Sequence, residues 1–147
     1  MILSDSARPA PFGRLLAAMI YDCLPVLGIW MVTLLLLVIA NSGDAVFGAL
    51  VQTLLFLELY GYFAFSWIRR RRTLGMLSWR LCIDCAGPRV TLNQATYRFI
   101  GAGLGIACFG LGYLWRWIDV EQRTWADLFS STRIYHDPEY KGHSTEN

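Results

Sequence analysis

Charge is what this 147-residue chain has least of. Asp, Glu, Lys and Arg together make up 16% of it, against about 25% in ordinary soluble domains. Lysine is nearly absent: twelve of the thirteen basic residues are arginine, the side chain suited to holding carboxylates and phosphates through paired hydrogen bonds. A net charge of +2 is too small to argue for a nucleic-acid partner. The basic residues also stand beside apolar runs, where they act as topology signals. Histidine occurs twice, at His136 and His143. Four cysteines make no disulfide framework, since Cys23 and Cys108 lie in apolar runs and only Cys82 and Cys85 are close together. Structural zinc needs four ligands and a thioredoxin-like motif needs a βαβ setting. Cys82-x-x-Cys85 therefore reads as two small apolar residues in a reduced compartment. There is no phosphate-cradling glycine loop and no convincing Ser/His/Asp nucleophile set, so neither an enzyme nor a cofactor nor a metal site is expected.

What fills the chain instead is apolar sequence, 55% of it. From residue 15 to residue 40 the only formal charge is Asp22. A run of roughly 20 apolar residues at about 1.5 Å each spans a hydrocarbon core of about 30 Å. Asp22 lies on the order of 12 Å deeper than Arg14 along such a helix. A carboxylate at that depth is costly unless it faces protein or water, which makes Asp22 the first candidate site residue. Pro25 leaves the carbonyl of Tyr21 without its helical donor beside it, tolerable only where protein or water satisfies the freed group. A cleaved signal peptide is the competing reading, but the run is too long, it carries Asp22, and its basic head is thin.

A second helix is expected over about 45–68, interrupted by Gln52 and Glu58. It stops at Arg69, Arg70, Arg71 and Arg72, which places that end in the cytoplasm. Arg8 and Arg14 place the N-terminus there too, and the loop with Asp44 falls outside. Residues 73–98 are too polar to span; Leu81-Cys82-Ile83-Asp84 reads as a short strand or interfacial piece, and Val90-Thr91-Leu92-Asn93 as a helix start. Residues 99–115 are apolar and carry five glycines. As a spanning helix they would put Arg116, Arg123 and Arg133 outside, against the basic-residue rule. A re-entrant pair breaking near Cys108-Phe109-Gly110 avoids that conflict and is preferred, with spanning as the alternative. The expected fold is thus an all-α membrane protein: a two-helix transmembrane hairpin plus a short Gly-rich third membrane segment. Residues 1–12 form a cytoplasmic arm, 13–135 the membrane domain, and 136–147 a polar tail. Trp67, Tyr113, Trp115, Trp117 and Trp125 fit interface anchoring.

Several pieces then line up with a known pattern. Arg14 and Asp22 stand at the head of the first helix. Thr73-Leu74-Gly75-Met76, followed by Trp79-Arg80-Leu81, comes after the second. Gly110-Leu111-Gly112-Tyr113-Leu114-Trp115, Asp119 and Arg123-Thr124-Trp125-Ala126-Asp127 close the chain. In this order they resemble the RDD family of membrane proteins, named for one arginine and two aspartates. Arg14, Asp22 and Asp127 match those three. Ala126 stands where a histidine is common and Ser131 where glycine is common. The resemblance implies a membrane protein of a family that includes transport proteins, some similar to cation/proton exchangers, with no shared substrate.

Four residues follow as the expected polar site. Asp127 can approach Arg14 at the cytoplasmic boundary, either to close a site or as a structural clasp. Glu58 and Asp22, at matching depth on antiparallel helices, would share a proton or release it to a cation. The blander reading bonds Glu58 to Tyr60, Tyr62 or a kink carbonyl, or turns it to a partner subunit. The function expected is a transport-related role, proton-linked cation movement through buried carboxylates, in a bacterial-type inner membrane. The alternative is an accessory subunit that anchors another membrane complex, its Arg and Asp residues purely structural. The partners expected are the bilayer, a second copy or another membrane protein, and anionic lipid at Arg69, Arg70, Arg71 and Arg72.

Overall fold

The computed structural model describes residues 7–42, 44, 47–85, 87 and 89–136. Two helices dominate it, α1 (Phe12–Ala40) and α2 (Ala49–Arg70), both long and apolar enough to cross a bilayer. At about 1.5 Å per residue they measure roughly 44 and 33 Å. Only 6% of the apolar stretch of either helix is buried by the rest of the chain. Leu24, Met31, Leu35 and Ile39 of α1 and Leu50 and Phe65 of α2 all remain exposed. A helix apolar all round needs a covering that is itself apolar, and a bilayer supplies it. The helices run antiparallel, Trp30 Nε1 donating to Leu55 O at 3.0 Å.

The packed core lies elsewhere, at the arginine end of α2. There Ala10, Leu15 and Ala18 meet Ala64, Trp67 and Met76, and beyond them Leu81, Ile83, Val90, Ala95 and Ile134. Arg71 ends α2 in the left-handed region (φ 55°). The chain then turns into α3 (Leu74–Ser78), capped by Thr73, whose Oγ1 accepts from Met76 N.

A small sheet follows, which corrects the all-α expectation. Its strands are β1 (Arg8–Pro9), β2 (Leu81–Cys85) and β3 (Thr132–His136), in the order β1-β3-β2 and antiparallel throughout. Leu81 stands opposite His136, Ile83 opposite Ile134, and Arg8 also opposite His136. The segment at Leu81-Cys82-Ile83-Asp84 is therefore a strand. Its partner comes from the far end of the chain, a pairing with no local signature.

α4 (Leu92–Ala107) begins at the expected helix start, closed by a capping box: Thr91 Oγ1 accepts from Gln94 N, and Gln94 Oε1 accepts from Thr91 N. It breaks at Cys108-Phe109-Gly110, and the helical segment Leu111–Trp117 departs at 109°. This segment comprises α5 (Leu111–Leu114) and a 3-10 turn (Trp115–Trp117). Gly110 takes φ 81° at the break, a conformation glycine adopts without steric cost. The returning chain packs closely on α4, since a Cβ built on Gly112 would meet Gly105 Cα at 2.5 Å. α6 (Trp125–Ser130) leads into β3, and a Cβ on Gly101 of α4 would stand 2.9 Å from Ala126 Cα.

Candidate functional site

The polar groups of the helices fall into three separate places rather than one. The first surrounds Asp22, 4% exposed on α1. Its Oδ1 accepts from Tyr62 Oη at 2.8 Å and from Gly75 N at 2.9 Å, and its Oδ2 from Thr73 Oγ1 at 2.5 Å. The Thr-Leu-Gly-Met element is thus the cradle of this carboxylate. Thr73 supplies a hydroxyl while capping α3, and Gly75 supplies a main-chain N–H. Only glycine lets α3 come so near, since a Cβ there would lie 2.0 Å from Ala18 O and 2.9 Å from Asp22 Cγ. These donors are neutral, and among the described residues no cation pairs with the carboxylate.

The second place centres on Asp127. Arg98 Nη1 donates to Asp127 Oδ1 at 2.8 Å and to Thr132 Oγ1 at 2.5 Å. Both charged side chains are 3% exposed. Asp127 Oδ2 accepts from Thr124 N at 3.0 Å and Thr124 Oγ1 at 2.8 Å, which completes the α6 capping box. The Arg98 guanidinium also sits 5.5 Å from the centre of the Trp67 ring. One arginine on α4 therefore ties together α2, α6 and β3. The structure gives Asp127 this partner in place of the expected Arg14, whose Nη1 instead contacts His136 Nε2. Sequence reasoning missed Arg98. Its signal was a lone charge between Tyr97 and Phe99, one turn before the apolar glycine run, of the kind that singled out Asp22 on α1.

The third place is Glu58, midway along α2. Thr33 Oγ1 donates to its Oε1 at 2.5 Å, and its Oε2 is enclosed with no hydrogen-bond partner. Glu58 and Asp22 do not form the expected pair. Thr33 lies about three turns, roughly 16 Å, beyond Asp22 on α1. Asp22 is level with Tyr62 and with Thr73 past the end of α2, because α3 folds back on α1 there. Tyr62, one turn beyond Glu58, is taken by Asp22, and Tyr60 pairs with Thr96 at 2.7 Å.

Arg116 is a further buried cation, 4% exposed, with Nη2 unpartnered. Beyond it lies an ionic cluster outside the long helices. Arg123 Nε and Nη2 hold the two oxygens of Asp119 at 3.0 and 3.1 Å, and its main-chain N–H adds a bond at 2.9 Å. These contacts press the Asp119 carboxyl below the usual carboxylate range and raise Arg123 in return. Glu121 joins Arg123 at 3.2 Å and also pairs with Arg133. A recess of about 20 Å³ beside them, lined by Pro9, Glu121, Arg123, Asp127, Arg133 and Tyr135, has room for about one water. Cys82 is buried on β2, its thiol donating to Tyr135 O at 3.9 Å; the side chain of Cys85 lies outside the described residues. Among the described residues no group of three His, Cys, Asp or Glu side chains gathers to hold a metal ion.

The family model described as "RDD family" matches residues 8–131. No curated protein and no solved structure matches the chain. Ser131, where the family pattern favours glycine, ends α6 in the left-handed region at φ 51°.

Proposed function

The chain belongs to the RDD family; from that membership and its two long apolar helices we propose a multi-pass inner-membrane protein with a transport-related role, centred on Glu58. The observation that carries this reading is the Glu58 carboxyl, held at one oxygen by Thr33 and enclosed without a donor at the other. An ionisable group inside a spanning helix is expensive, and such groups mark ion and proton pathways. In the proposed exchange a proton leaves Glu58 and a monovalent cation replaces it, so the charge of the site is unchanged. Asp22 and Asp127 act as locks, holding α3 and α6 against the helices. A lone hairpin encloses no pathway, so a second copy or another subunit completes one.

The re-entrant reading of α4 and α5 has two supports: the 109° bend, and the pairing of β3 with β2, the strands on either side of that segment. It keeps Arg116, Arg123 and Arg133 on the side of Arg69, Arg70, Arg71 and Arg72, in accord with a cytoplasmic N-terminus and the basic-residue rule.

The accessory reading is favoured by a different observation. Asp22 and Asp127 each take three donors from within the chain, as architecture alone requires. Proteoliposomes loaded with a pH-sensitive dye separate the two. Added Na⁺, K⁺ or Li⁺ shifts the internal pH for the wild type, and Glu58→Gln abolishes the shift while inserting normally. Silence of the wild type in every salt defeats transport by this chain alone and leaves the accessory role.

A further inference from the structure

We infer that the arginines gathered at the end of α2 form a docking surface for the phosphates of anionic lipid headgroups. Arg69 and Arg70 are exposed on the last turn of α2. Arg71 organises what lies beside them. Its main-chain oxygen accepts from Ile83 N at 2.9 Å, and its Nη2 donates to Gly87 O at 2.6 Å. The first bond holds β2 against the helix end, and the second holds the turn that precedes α4. Arg80, exposed three residues before Ile83, and Arg89, exposed two residues past Gly87, are thereby held within a few residues of these contacts at the end of α2. Four exposed arginines from three separate stretches of sequence share one neighbourhood.

None of the four meets a carboxylate among the described residues, where the ion pairs belong to Arg98, Arg123 and Arg133. Asp84, the acidic residue on β2, stands opposite Arg133 in the strand register. Among the described residues, then, no carboxylate is paired with the positive charge of the patch. The patch is also continuous with the lipid-facing surface: the Arg69 guanidinium lies 5.8 Å from the centre of the Phe65 ring, and Phe65 is 62% exposed. A cation resting on the last exposed aromatic of a spanning helix stands at headgroup level. A phosphodiester there accepts paired hydrogen bonds from a guanidinium. Topology setting needs only the arginines that adjoin α2. Arg80 and Arg89 exceed that need, and lipid binding accounts for them.

The test uses the detergent-solubilised full chain and counts bound lipid by native mass spectrometry during titration. Phosphatidylglycerol, phosphatidylcholine and inorganic phosphate are the three probes. Phosphatidylglycerol binds more tightly than phosphatidylcholine, and Arg80→Gln with Arg89→Gln weakens it about 30-fold at roughly 5-fold per arginine. That double variant leaves the topology signal intact, and its side chains are exposed, so the thermal midpoint stays put. On the wild type the preference fades between 0.1 and 1 M salt, as the screening length falls from about 10 to 3 Å. Equal binding of the two lipids, or a preference that survives the double variant, overturns the proposal. Inorganic phosphate that displaces phosphatidylglycerol at equal concentration overturns the assignment to lipid.

Discussion

Arg98 Nη1 and Asp127 Oδ1 meet at 2.8 Å across 29 positions of sequence, both side chains almost wholly covered. The same nitrogen reaches Thr132 at the start of β3, and Asp127 caps α6. Removing one partner leaves the other as an uncompensated buried charge, at about 3–5 kcal/mol. Arg98→Met and Asp127→Leu each therefore lower thermal stability in micelles sharply. Combining them restores most of the loss, less about 1 kcal/mol for the missing helix cap. Purely additive losses in the double variant would falsify the pairing.

Gly75 separates close approach from mere flexibility. Gly75→Ala drives a methyl group against Ala18 O and Asp22 and costs about 1–3 kcal/mol, the usual range for overpacking. Gly103, inside α4 with nothing within 4 Å of its would-be Cβ, behaves oppositely. Gly103→Ala adds helix propensity and raises stability by about 0.5–1 kcal/mol. Melting curves of the two variants under identical detergent conditions must therefore move in opposite directions.

Arg116 is buried like Arg98 but lacks a partner for Nη2. Arginine cannot escape this by losing its proton. Replacing it with methionine keeps the bulk and removes the desolvated charge, so Arg116→Met raises stability by about 1 kcal/mol. Chemical unfolding beside Arg98→Met gives the comparison. A loss in Arg116→Met as large as that in Arg98→Met would mean the guanidinium is satisfied after all.

Asp119 supplies a pH signature outside the membrane helices. Hydrogen bonds from the Arg123 side chain, and then from its main-chain N–H, depress its carboxyl. A depressed folded-state value stabilises at pH above the ordinary carboxylate value of about 4. That contribution disappears as pH falls through the lower, folded value. Carbon-13 titration of the Asp119 carboxyl should give a midpoint below that of a free aspartate. Arg123→Gln brings it up towards the ordinary range; an unchanged midpoint in the variant would show that Arg123 is not the cause.

The two long helices and the turns around them were legible because their signals are local. An apolar run of membrane length, a stop at four arginines and the helix start at Val90-Thr91-Leu92-Asn93 each say what they do within a few residues. Asp22 stood out for the same reason, as one charge in a long apolar stretch. Its partners did not. Counting rise from Arg14 set its depth against Glu58, whereas the fold-back of α3 brings Thr73 and Gly75 to it from beyond the end of α2. Arg98 displaced Arg14 as the partner of Asp127 because α4 and α6 pack through glycine and alanine, a contact no linear spacing records. The strands were hardest of all: β1 is two residues long, and β3 finds its neighbours more than 45 positions away.

The order β1-β3-β2 has a consequence for how the molecule is made. The middle strand is the last described element to be synthesised, so the two outer ones wait without hydrogen-bonding mates while both long helices are delivered to the bilayer. Arg98 waits too, since Asp127 and Thr132 arrive together with the closing strand. Stitching the layer at the arginine end therefore follows the making of both outer strands, and a chain stalled before Thr132 would present raw edges and an unneutralised guanidinium to quality-control proteases.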